Sequence, residues 1–192
     1  NENNGVFQDL TLTSNWQTLV NNLKTSYPDI KFGYSSDFSG IEWALNNKRN
    51  NANTMLDYLD FIAFNTYPVL NYQNAWDAAY DNNGGSKNDK KNILYAQSYI
   101  DYILELNRLY GKDVIISEVG CTGRDKSLRN PIDVTYPINT NIQGLYYDIM
   151  FQSIASIDAV LALYVWSARE PFNFYGTTGE TTISDYFNGG VS

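Results

Sequence analysis

Asp113-Val-Ile-Ile-Ser-Glu-Val-Gly-Cys121 decides how the chain is read. Val114, Ile115 and Ile116 make a short unbroken apolar run rich in β-branched side chains, the pattern of a strand covered on both faces of a parallel sheet. A carboxylate, Glu118, stands where the run stops, and Gly120 follows. Parallel α/β folds carry their reacting groups at the carboxyl ends of strands, where the backbone opens into loops. Glu118 is therefore either a reacting carboxylate or a strand-end group that caps a helix or pairs with an arginine. The rest of the chain bears on that choice.

Upstream of this stretch, Ala96, Tyr99, Ile100, Ile103, Leu106 and Tyr110 recur at helical spacing, with Gly111 as the stop. Before that helix, the polar stretch Asp81 to Lys91, centred on Gly84-Gly85, reads as a loop. Leu59 to Asn65 reads as a second strand, ending in Asn65-Thr-Tyr67-Pro68. Ser36 to Asn53 reads as irregular, with a short helix around Ile41 to Leu45, and Ile30 to Ser35 as another strand. Ser14-Asn-Trp-Gln17 has the form of a capping box. It opens a helix with Trp16, Leu19, Val20 and Leu23 on one face, stopped by Tyr27-Pro28.

Downstream, Thr122 to Thr140, with Pro131 and Pro137, reads as a long loop on the Glu118 side; structureless loops of that length are often functional. Ile142, Leu145, Tyr146, Ile149 and Ile154 mark a helix, and Ala159 to Trp166 the last buried strand. The Gly- and Thr-rich tail from Gly176 to Ser192 carries Tyr186-Phe187, which can pack back on the body.

Composition narrows the chemistry. At 192 residues, 43% hydrophobic and 15% aromatic, the chain can bury one sizeable core and is not disordered. A single catalytic-type domain over 1–192 is expected. A formal net charge of -8 argues against nucleic acid and anionic membranes as partners. No apolar run is long enough to cross a bilayer. With no histidine and one cysteine, Cys121, the sequence offers no Ser-His-Asp or Cys-His catalysis and makes a zinc site improbable. No metal or other cofactor is expected. The chemistry falls to carboxylates, tyrosines or backbone, and the 16 Tyr and 4 Trp suit stacking on sugars. The compartment is not legible; an extracellular or cell-surface location follows if the substrate is a polysaccharide.

Strict alternation of helices with apolar strands implies parallel strands joined by right-handed crossovers. No glycine-rich phosphate loop follows any strand, which disfavours a nucleotide-binding sheet. A (β/α)8 barrel remains, but such barrels typically take about 250 residues, and four strand-helix units amount to half of one. The chain reads as the second half, opening on Asn1-Glu2 just past a missing strand.

Asn1-Glu2, Leu59-Asp-Phe-Ile with Asn65-Thr-Tyr67, Ile116-Ser-Glu-Val-Gly120, and the downstream Pro131 and Gln143 together resemble clan A of the glycoside hydrolases, most of all the β-mannanases of family 113. The resemblance spans nearly the whole chain. It implies a TIM barrel of which this chain supplies strands 5–8 and the loop after strand 4, with the N-terminal half of the barrel as its partner. It further implies a retaining glycosidase acting on a β-linked polysaccharide or oligosaccharide such as β-1,4-mannan. Glu118 is then the nucleophile, Glu2 the acid/base, and Asn1 the group that bonds the sugar 2-hydroxyl. Tyr67 corresponds to a hydroxyl that holds the nucleophile, and Trp166 to the platform beneath the sugar. Cys121 departs from the pattern, standing where many relatives carry Tyr, and the first four strands are absent.

Retaining hydrolysis needs two carboxyls roughly 5–5.5 Å apart, one attacking and one cycling a proton. A neighbouring carboxylate and partial burial would keep Glu2 protonated near neutral pH. The alternative for Tyr67 is a turn residue before Pro68, and for Trp166 a packed strand-end residue. Asn65, Trp43, Trp76, Arg169 and Glu170 are loop candidates for sugar contacts. Two other readings stand beside the enzyme: a non-catalytic carbohydrate-binding barrel, and a structural half-barrel that needs its other half. A half-barrel alone exposes two unpaired parallel edges, so the sequence is expected to be an excerpt of a longer polypeptide.

Overall fold

The computed structural model describes residues 12–67, 71–72, 93–94, 97–154, 157–166 and 169–189. In chain order these form α1 (Thr13–Ser26), β1 (Gly33–Asp37), α2 (Phe38–Arg49), β2 (Phe61–Thr66), β3 (Asn71–Tyr72), β4 (Ile93–Leu94), α3 (Gln97–Tyr110), β5 (Val114–Val119), α4 (Thr140–Ile154), β6 (Val160–Val165) and α5 (Thr178–Phe187). Four of the strands make a parallel sheet in the order β1-β2-β5-β6, and β3 and β4 form a two-residue antiparallel ladder. Parallel strands alternating with helices are the arrangement of half a (β/α)8 barrel.

The described residues fall into two compact units. One takes in the described residues up to Thr66 together with Asp101–Glu118 and Asp158–Tyr164; the other takes in Tyr67 to Ile100, Val119–Ile157 and Val165 onward.

In the first unit, α1 starts ahead of the expected capping box. Leu12 occupies the cap without a side-chain bond, and Ser14 lies inside the first turn, its carbonyl accepting from Thr18 Oγ1 at 2.9 Å. A hydroxyl caps only from the non-helical position before the first turn, so no box forms. Strand β1 begins at Gly33 rather than Ile30, which is 53% exposed. Its entry is fixed by a reciprocal pair: Asp60 N–H donates to Phe32 O at 2.7 Å, and Phe32 N–H to Asp60 Oδ2 at 2.9 Å. A Cβ on Gly33 would stand 2.1 Å from the Phe61 ring, which would have to shift to admit it.

The short helix expected around Ile41 to Leu45 is present but longer: Phe38–Arg49, expected as mostly irregular, forms the continuous helix α2. Asp37 caps it by accepting from Gly40 N–H at 2.9 Å, and Ile41, Ala44 and Leu45 are buried at i, i+3 and i+4. That stripe is narrow, and the Asn, Lys and Arg on the outer face gave the segment its loop-like composition. Lys48 and Arg49 lie in the last turn, where cations suit the helix dipole. Strand β2 pairs with β1 from Gly33↔Phe61 to Asp37↔Asn65, with Ile62, Phe64 and Thr66 buried. Helix α3 buries Ile103 and Leu106 and ends at Gly111, whose φ of 65° only glycine adopts freely, as expected. The Asp81–Lys91 loop and Ala96 lie outside the described residues.

In the second unit, the expected long loop is present between β5 and α4 and is laced to itself. Thr122 N–H donates to Pro131 O (2.8 Å), Asp125 N–H to Pro137 O (2.9 Å) and Asn139 N–H to Gly123 O (2.8 Å). Helix α4 is buried along nearly its whole length, from Ile142 to Phe151. The glycine-rich tail forms α5, capped by Thr177, whose Oγ1 accepts from Gly179 N–H at 3.0 Å. Tyr186 packs back as expected: its ring meets Phe151 at 4.9 Å, and its hydroxyl donates to Asp148 O at 3.3 Å.

One strand departs from its sequence pattern. Ala159 to Trp166 reads as a buried strand, yet on β6 Leu161 is 61% exposed and Tyr164 59%. The reason is position: β6 is one of the two edge strands of the four, β1 being the other. Among the described residues no helix is long and apolar enough to cross a membrane.

Candidate active site

Strand β5 buries Val114 and Ile116 and brings Ser117 and Glu118, both half-buried, to its carboxyl end. Ile62 N–H bonds Asp113 O at 3.0 Å, and Val114 N–H bonds Ala159 O at 2.8 Å, so β5 is held on both sides near its start. Three polar side chains from β1, β2 and β5 meet in the first unit. Ser117 Oγ lies 2.8 Å from Asn65 Oδ1, Ser35 Oγ lies 3.2 Å from the same oxygen, and the two hydroxyl oxygens are 2.6 Å apart. Asn65 is thus bonded to the residue immediately before Glu118.

In the second unit the continuation of the same motif is built against backbone. Trp166 N–H donates to Val119 O at 2.8 Å. A Cβ on Gly120 would stand 2.1 Å from the Trp166 carbonyl oxygen, so the glycine two residues past Glu118 is a steric necessity. Trp166 is 45% exposed. Tyr147 donates its hydroxyl to Trp166 O at 3.5 Å, and burial pushes that phenol well above its usual range, so it stays a neutral donor. Tyr67 sets its ring against Phe172, centroids 5.7 Å apart.

Gln143, on α4, is a hub for the surrounding loops. Its amide nitrogen lies 3.0 Å from Cys121 O, 3.3 Å from Phe172 O and 3.4 Å from Asn173 O, while its oxygen accepts from Thr177 Oγ1 at 3.0 Å. Cys121 is fully buried and acts as a small apolar filler.

Of the residues singled out from sequence, Glu118 and Asn65 belong to one unit, and Tyr67 and Trp166 to the other. Asn1, Glu2 and Trp76 lie outside the described residues. Trp43, expected on a loop, is inside α2, because that segment is helical. Arg169 and Glu170 are exposed. Sequence reasoning passed over Ser35 and Ser117. Their signal was a hydroxyl on each of two strands, one of them directly before the candidate carboxylate. Among the described residues, no group of three or more His, Cys, Asp or Glu comes together to hold a metal ion.

No protein-family model matches the sequence, and no curated protein matches it. Solved structures do. A GH113 β-1,4-mannanase determined as a complex aligns with a TM-score of 0.60 at 21% identity, over 90% of this chain and 50% of its own. A second GH113 β-1,4-mannanase structure gives 0.61 at 21% identity, over 92% and 51%. This chain has half of a GH113-type barrel fold. The GH113 β-mannanase from Alicyclobacillus acidocaldarius, in complex with ManMIm, agrees at 0.58 and 17% identity, over 91% of this chain and 50% of that one. The chain thus spans about half the length of the GH113 structures it resembles. The shared half-barrel is the frame on which Glu118 stands at a strand's carboxyl end.

Proposed function

We propose that residues 1–192 act as one catalytic-type domain, supplying strands 5–8 of a (β/α)8 barrel and the loop after strand 4, in a retaining glycoside hydrolase that cleaves β-linked glycans. The observation that carries the reading is Glu118, ending a central strand of a GH113-type half-barrel beside a built polar cluster. Glu118 is the nucleophile that attacks the anomeric carbon. Glu2 protonates the departing oxygen, then takes the proton of the water that releases the glycosyl-enzyme. Asn1 and Asn65 hold sugar hydroxyls, Tyr67 positions Glu118, and Trp166 stacks under the sugar at the point of cleavage. The partner for the exposed β6 edge is the N-terminal half of the barrel, and β-1,4-mannan is the first substrate to test.

The test is a matched kinetic series in the complete barrel, using a β-1,4-mannan oligosaccharide and an activated aryl β-glycoside. Glu118→Gln abolishes turnover of both, because a neutral amide cannot displace the leaving group. Glu2→Ala loses the oligosaccharide far more than the aryl glycoside, which departs without proton help, and azide restores the variant by attacking the intermediate. Equal losses for both variants on both substrates contradict the assigned roles. Full activity in Glu118→Gln removes the glycosidase and leaves a carbohydrate-binding barrel.

A further inference from the structure

We propose that Ser35 and Ser117 are positioning residues, whose hydroxyls fix the Asn65 carboxamide and the strand end bearing Glu118 in one geometry for a bound sugar. The proposal rests on the reading of Glu118 as nucleophile given above. Its basis is the cluster across β1, β2 and β5, where Ser35 in mid-strand, Asn65 and Ser117 meet within 2.6 to 3.2 Å, all half-buried.

Proton counting orders the cluster. Two hydroxyls supply two protons for three contacts, so one contact goes without. The 2.6 Å approach of the two oxygens requires a proton between them, and the 2.8 Å contact of Ser117 with Asn65 is the better of the remaining two. The chain therefore runs from Ser35 to Ser117 to Asn65 Oδ1, with the 3.2 Å contact as the residual one. Ser117 is the middle member, covalently next to Glu118. With Oδ1 turned to the serines, the amide nitrogen of Asn65 is directed away from them.

A merely structural role is the competing explanation, and stability alone does not favour these residues. Serine is a weaker strand former than Val or Ile, and a half-buried hydroxyl is costly unless bonded. What a hydroxyl chain adds is a fixed cross-strand geometry on rigid elements, which a reacting carboxylate needs. Glu118 can then meet the anomeric carbon in the same geometry in which Asn65 meets the sugar's hydroxyls.

The test uses the complete barrel, on a β-1,4-mannan oligosaccharide, with Ser117→Ala, Ser117→Thr, Ser35→Ala and Glu118→Gln beside wild type. Thermal unfolding is recorded for each. Ser117→Ala is expected to lower kcat by about 10- to 100-fold with KM little changed, the penalty of a small misplacement at the reacting centre. Ser117→Thr, which keeps the hydroxyl, recovers most of kcat. Ser35→Ala loses less, because the Ser117–Asn65 bond survives it, and it keeps the proposal testable if Ser117→Ala folds poorly. Wild-type kcat in both alanine variants overturns the proposal. So does a loss that tracks the unfolding midpoint, or one that threonine fails to recover. A wild type no more active than Glu118→Gln overturns the glycosidase reading itself, whereas an active wild type beside two fully active alanine variants overturns only the positioning role.

Discussion

Strands β5 and β6 are both six residues long, and by composition β6 is the more apolar: Val-Leu-Ala-Leu-Tyr-Val against Val-Ile-Ile-Ser-Glu-Val. Yet β5 buries Val114, Ile116 and Val119, while β6 leaves Leu161 and Tyr164 more than half exposed. The difference is the neighbour each has. Strand β5 lies inside the sheet, and β6 at its edge. An apolar strand records the environment its side chains suit, and β6 is written for a covering that the described residues do not provide. That agrees with a chain spanning about half of the GH113 structures it resembles.

The contrast can be broken by measurement. The largest effect is expected on β5, where Ile116→Ala opens a cavity beside fully buried neighbours and should cost about 2–5 kcal/mol in denaturant unfolding. On β6, Leu161→Ala in the 192-residue chain should stay within about 0.5 kcal/mol, as for an ordinary surface change. In the complete barrel the same substitution should rise towards about 2 kcal/mol, because the edge is then covered. A full core-sized cost for Leu161→Ala in the shorter chain would show that the edge is already covered and undo the comparison.

The smallest effect concerns the residue leading into β5. Burial, with the positive charges of Lys24 and Lys48 adding to it, pushes the Lys112 ammonium down to about 8; Asp57 and Asp60 pull the other way. The folded value lies below the unfolded one. Between them the unfolded chain binds more protons, and wild-type stability gains on a Lys112→Met variant as pH rises from about 8 towards 10.5. Denaturation midpoints of the two proteins, compared across that window, should diverge in that direction. A flat difference would mean that Lys112 is solvated through its contacts with the carbonyls of Leu56 and Asp57.

Much of the frame was legible because period and order survive in composition. All four sheet strands, the stop of α3 at Gly111 and the loop after Glu118 follow from apolar runs, glycine and proline. What escaped was set by single local bonds or by distant partners. The start of α1 hid because Ser14 has the identity of a cap but not its position. Helix α2 was legible only as a short helix around Ile41 to Leu45, because its narrow buried stripe lies among Asn, Lys and Arg that look like a loop until Asp37 is seen capping it. The tail helix α5 hid behind glycines and threonines that α4 holds in place. In the site, Glu118 announced itself at the end of an apolar run, whereas the Ser35–Ser117–Asn65 cluster requires the register of three strands that no local pattern states.

The Gln143 amide has a consequence for anyone who would re-engineer this surface. It offers two N–H groups to three carbonyls, one from the segment after β5 and two from the segment after β6, and its oxygen is spoken for by Thr177. The two segments are therefore not interchangeable modules. A graft or insertion that shifts Phe172 by an ångström redistributes the bonds that Gln143 gives to Cys121, three residues past Glu118. Loop swaps here should travel as a set, with the glutamine included.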